Sequence, residues 1–135
     1  MNEAVDLSAF HMFVAGAGDA VTVQAGPSFW KEMMAPSTEN EIVRRIKEED
    51  GYLLIDMTLT GEFPHWEMHP NGDEIFLMRE GSLDIDLDDG DDKWSQHLDA
   101  GQAFIVPKGA WHIARAEHAK VFVLTFGRGT EHRPK

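Results

Sequence analysis

The 135-residue chain contains no cysteine. A disulfide framework, a thiolate zinc site and a cysteine nucleophile are therefore excluded together. Positive charge is scarce: 12 Lys and Arg stand against 24 Asp and Glu, for a formal net charge of −12. Nucleic acids and anionic membranes reward basic patches, so neither is an expected partner. No apolar run approaches the roughly 18–20 residues that span a bilayer. The first residues include Glu3 and Asp6 but no early Lys or Arg, so the basic start of a secretory leader is missing and a cytoplasmic protein is the expectation. Two motifs are incomplete. Gly16-Ala-Gly18 lacks the third glycine and the βαβ unit of a dinucleotide fingerprint. Asp84, Asp86 and Asp88 begin like a calcium loop, but Asp89 and Ser95 stand where that loop needs Gly and Glu. They read instead as the solvated face of a strand, a charged edge that discourages aggregation.

What is present suits a single globular domain: 42% hydrophobic and 27% charged residues over a length typical of one core. Val21-Thr-Val23 reads as a short strand. The apolar runs around Phe10–Phe13 and Phe29–Met34 read as strands or turns packed on the main body or on a partner subunit. Residues 37–47 are open between a helix capped at Thr38, with Glu41 three residues on, and a strand through Ile42, Val43 and Ile46. From Asp50-Gly51 onwards the pattern is clearer. Strands are expected at Tyr52–Leu59, Trp66–His69, Ile75–Met78, Leu83–Leu87, Trp94–Leu98, Ala103–Val106 and Val121–Phe126, with turn residues between them. Strands at such intervals specify an all-β antiparallel sandwich or barrel. The expected organisation is a strand-and-turn extension over 1–36, a barrel over 37–126 and a tail over 127–135.

Two segments carry the chemistry. In the first, His65, Glu67 and His69 are two apart and share one face of an extended strand, and the Asn71-Gly72 turn folds Glu74 back towards them. In the second, the turn Pro107-Lys-Gly109 delivers His112 from a later strand. Imidazole and carboxylate converging from several strands are the composition of a divalent-metal site. Phe76 and Met78 share the parity of Glu74, which makes them, with His65, the expected pocket residues.

These segments resemble the two motifs of the cupin superfamily. Gly61, His69, Glu74 and Gly81 fall at the positions of its first motif, and Gly101, Pro107, Gly109 and His112 at those of its second. Two positions depart from the pattern: Glu67 replaces the usual first histidine, and Ala116 the frequent asparagine. The resemblance spans roughly residues 50–126. It implies an antiparallel jelly-roll β-barrel, a metal-ligand set of Glu67, His69, Glu74 and His112, and a homodimer, for which the apolar Phe29–Met34 segment would suit the interface. Two imidazoles and two carboxylates favour manganese or ferrous iron over copper, with zinc and nickel as further candidates. His65 would replace a ligand, stand behind one or shuttle a proton. The other histidines, His11, His97, His118 and His132, read as surface or structural residues. The implied activity is metal-dependent enzymology on a small oxygenated molecule, of oxygenase or isomerase type. The alternatives are a non-catalytic module that binds or senses a small ligand or metal, and a polar pocket without metal.

Overall fold

The computed structural model describes residues 3–135. In chain order it contains β1 (Phe10–Ala15), β2 (Ala20–Gln24), α1 (Pro27–Met34), α2 (Glu41–Glu48), β3 (Gly51–Glu62), β4 (His65–Met68), β5 (Glu74–Asp88), β6 (Lys93–Asp99), β7 (Ala103–Val106), β8 (Trp111–Thr125) and β9 (Glu131–Pro134). All pairings are antiparallel. β8 is the spine: it pairs with β3 along one edge, with β5 along the other, and with β4 at Glu67↔His112. β5 in turn pairs with β7 through its first residues and with β6 through its last. The sheet curls into an antiparallel β-barrel, with the two short helices packed to one side.

The curl depends on long strands that bend. The sequence suggests that Gly81 ends one strand and a second begins at Leu83. Instead β5 runs through all 15 residues, with register irregularities at Met78/Glu80 and Gly81/Asp84. Gly81 makes this bend feasible. Its φ is +74°, and a Cβ there would lie 2.1 Å from the His118 carbonyl oxygen. Only glycine lets the two backbones approach so closely. Likewise Gly61 does not end β3 but sits at a bulge opposite Ala116, and the strand continues to Glu62.

Alternation along the strands fills two apolar clusters. Leu59, Phe76, Met78, Leu83, Ile85, Leu87, Leu98, Val121 and Val123 line the barrel interior. Phe13, Val23, Phe29, Val43, Ile46, Leu53 and Ile55 form a second cluster between β1–β3 and the helices. Met57 packs against both.

Two further expectations need correction, and the open reading of residues 37–47 resolves to a helix with a different cap. Phe29–Met34 is helical, neither strand nor turn. Pro27 occupies the first turn of α1, where a missing N–H costs nothing, and Phe29 and Met33, four apart, both turn to the second cluster. Residues 41–48 are also a helix, and its cap is Asn40 rather than Thr38. The Asn40 side chain accepts hydrogen bonds from Ile42 N and Val43 N, while Thr38 Oγ1 receives the N–H of Asn40 itself. Burial of Val43 and Ile46 on one face of α2 outweighs the strand preference of branched residues. Finally, the expected tail contains β9, which pairs with β4 from His65↔Pro134 to Met68↔Glu131. Among the described residues no helix is long and apolar enough to cross a membrane.

Candidate metal centre

β4 holds His65 and Glu67 on one face, and His69 follows just after its end. Gly109 N donates to the His69 carbonyl at 3.0 Å, which ties the Pro107-Lys-Gly109 turn to this strand end. Glu74 opens β5, and His112 is the second residue of β8, directly opposite Glu67. The four expected ligands Glu67, His69, Glu74 and His112 are thus brought together, each offering a donor atom within 4.8 Å of the others. His69, Glu74 and His112 are buried, and Glu67 is partly exposed.

Hydrogen bonds fix the orientation of both imidazoles. Thr130 Oγ1 donates to the Gly127 carbonyl at 2.9 Å and lies 2.8 Å from His69 Nδ1, so Nδ1–H donates to the hydroxyl oxygen. His112 Nδ1 lies 3.2 Å from the Ala110 carbonyl, which can only accept. In each neutral ring the remaining lone pair is therefore on Nε2, the tautomer in which metal-binding histidines are held. Both Nε2 atoms lie 2.9 Å from Glu74, His69 from Oε2 and His112 from Oε1. Neither ring makes a well-aligned hydrogen bond to that carboxylate, however, and both buried Nε2 atoms lack a geometrically sound partner among the described residues. Buried nitrogens without partners are costly unless something else satisfies them. A six-coordinate ion with bonds of about 2.1 Å sets neighbouring donors ~3.0 Å apart, and the 2.9 Å spacings match that edge. Glu67 Oε2 stands further off, 3.8 Å from His69 Nε2. The donor set fits a divalent cation.

Electrostatics agree. Burial pushes the Glu74 carboxyl up, but His69 and His112 outweigh it and hold the group well below the usual carboxylate range. Thr125 Oγ1 adds a hydrogen bond to Oε2 at 2.6 Å. Burial pushes the His112 imidazole down, yet the Glu74 charge prevails and its pKa is raised. A concentrated negative charge with protons drawn to it is a site that a cation can take over by displacing them.

The cluster opens into a cavity of about 690 Å³, walled by Met33, Leu53, Ile55, Phe63, Phe76 and Val123 among others. Phe76 and His65 line it. Met78 does not: it lies one strand repeat further from Glu74 and is enclosed in the barrel core. His65 Nε2 reaches Glu67 Oε1 at 3.6 Å and lies on the outer side of the cluster. The sequence reading missed four neighbours. Thr125 and Thr130 orient the site, His132 comes within 3.4 Å of Glu67 Oε1, and His11 lines the cavity, buried against Phe29 and Trp30. None has a spacing signal, because each comes from a segment outside the two motifs and is brought in only by the folded chain.

Residues 57–127 match the sequence profile of the cupin domain. This chain belongs to the cupin family. Among its relatives is the uncharacterized protein YdbB of Bacillus subtilis (strain 168), 33% identical over 88 residues that span 65% of this cupin and 70% of the relative. Similar solved structures include a cupin-2 domain protein from Shewanella frigidimarina, 30% identical, with a TM-score of 0.43 over 62% of this cupin and 70% of that chain. An oxalate decarboxylase shares the fold at 18% identity, with a TM-score of 0.51 over 63% of this cupin and 24% of that larger chain.

Proposed function

We propose that Glu67, His69, Glu74 and His112 hold one divalent ion, preferentially manganese or ferrous iron, and that this cupin is a metal-dependent enzyme for a small oxygenated molecule. The observation that carries this reading is the pair of buried, unpartnered Nε2 atoms, each with its Nδ1 committed elsewhere, facing opposite oxygens of Glu74. The two-carboxylate donor set favours harder ions over copper, and zinc or nickel would occupy it less selectively. The ion would supply Lewis acidity or oxygen activation, which is chemistry of oxygenase or isomerase type.

The remaining tasks belong to the protein. Thr130 and the Ala110 carbonyl keep the two imidazoles aimed at the centre. Thr125 holds Glu74 in place, and Glu67 presents the second carboxylate of the site from the exposed side. Phe63, Phe76, Ile55 and Val123 give the cavity an apolar wall that excludes water and accepts the carbon skeleton of a substrate. The substrate's oxygen atoms would face the cluster.

Metal analysis of untagged protein grown in manganese- and iron-supplemented medium tests the reading. One firmly held ion per chain is expected. It should disappear in His69→Ala and in His112→Ala while the far-ultraviolet spectrum of the sheet persists. Less than ~0.1 ion per chain in the parent protein, or unchanged content in either variant, would refute it.

A further inference from the structure

The two oxygens of Glu67 face different neighbours. Oε2 looks inward to His69, while Oε1 looks outward to two imidazoles that the central cluster does not use. His65 Nε2 lies 3.6 Å from Oε1 and His132 Nε2 lies 3.4 Å from it. The rings pack edge to face with centroids 4.5 Å apart. Strand register makes this arrangement. His65 and Glu67 share a face of β4, and β9 places His132 directly opposite Glu67.

We propose that His65, Glu67 and His132 form a second, outer metal site, bridged to the central one by the Glu67 carboxylate. It rests on the reading above in that the two sites share Glu67. Three features support it. The separations are longer than ordinary hydrogen bonds; 3.4 Å for His132 matches the ~3.3–3.4 Å between donors around a tetrahedral ion with bonds of about 2.0–2.1 Å, and 3.6 Å for His65 is slightly longer. The donor atoms of all three residues lie within 4.8 Å of one another, and all three line the cavity mouth, roughly a third or less exposed, so an ion has access. No competing cation satisfies Oε1 from β9. The neighbouring Arg133 points to the opposite face, where it binds Asp88 at 2.9 Å and stacks on Trp66 and Trp111.

Two imidazoles and one carboxylate oxygen with open positions suit a borderline ion of the zinc type, whereas the central donor set is more oxygen-rich. His65 thereby has a ligand's role rather than that of a proton carrier. An outer ion would draw electron density from Glu67, leaving the central ion with a weaker donor and greater acidity.

The test is equilibrium dialysis of untagged protein against zinc, followed by metal analysis. The parent protein should bind two ions per chain, and His65→Gln/His132→Gln should bind one. His112→Ala should lose the central ion and keep the outer one. One ion in both the parent and the double variant would overturn the outer site and leave the central reading intact. One ion in the parent, none in the double variant and no change in His112→Ala would sustain the outer site and refute the central one. Circular dichroism of each variant checks folding. His132→Gln alone, at the exposed end of the cluster, serves as a second variant and should also lower the stoichiometry from two to one.

Discussion

Among the described residues three histidines are buried, and their surroundings give them different chemistry. His69 and His112 face a carboxylate. His11 faces Phe29 and Trp30, is 6% exposed, and has no hydrogen-bond partner among the described residues at either ring nitrogen. Burial lowers its pKa below the ordinary 6.5. The direction of the stability effect follows. Above about pH 6.5 the ring is neutral in both the folded and unfolded chain and contributes no pH dependence. Below it, the unfolded chain takes up a proton that the folded chain resists, so stability falls as pH falls. His11→Phe removes this proton uptake. Urea midpoints of the parent and variant should therefore diverge in the variant's favour between pH 7.5 and 5, and a constant gap over that range would contradict the account. Glu67 shows how much one side chain can decide. Its place in the usual histidine position adds a second negative charge to the central donor set, and only a carboxylate has a second oxygen to offer His65 and His132.

Among the elements, α2 owes its start to a single residue. Asn40 satisfies two of the N–H groups that any helix leaves open, at 3.1 and 3.2 Å. Asn40→Ala should cost about 1 kcal/mol, read as a lower denaturation midpoint, and Asn40→Asp should restore most of it. Parts of the barrel's strands were legible from their alternation, although the sequence splits β5 at Gly81 and gives no sign of β8 between Trp111 and Lys120. Leu83, Ile85 and Leu87 point inward against Asp84, Asp86 and Asp88, and the same period of two placed Glu67 and His69 on one face. The helices were harder to read. Phe29–Met34 has too few residues to separate a period of 3.6 from one of 2, and its helicity depends on packing against β1 and β3. β9 was illegible for another reason. Glu131–Pro134 has no strand pattern of its own, and only pairing with β4 defines it. With β9 went His132 and the outer half of the site.

For the whole molecule, the barrel cluster and the helix-side cluster meet at Met57, with the cavity opening where they join. On the helix side, Trp30 and Met34 are 45% and 54% exposed, large apolar groups on a chain that otherwise carries a strong negative charge. We propose that α1 packs against a second copy through this face. Light scattering should then give twice the chain mass of 15.2 kDa, and Trp30→Glu should return it to the single-chain value. A parent protein of single-chain mass at working concentration would reject the dimer.

The two walls of the cavity differ in kind. On the barrel side, Leu53, Ile55, Phe76 and Val123 stand on strands locked edge to edge by backbone pairing, so their spacing is set. On the other side, Trp30, Met33 and Met34 hang from an eight-residue helix whose N-cap glycine makes no side-chain bond, and thioether chains rearrange at little cost. Tolerance is therefore lopsided. For a small molecule of the kind proposed, the strand-borne wall would be a rigid gauge for one flank of the carbon skeleton, while variation in girth would be absorbed by methionines that yield.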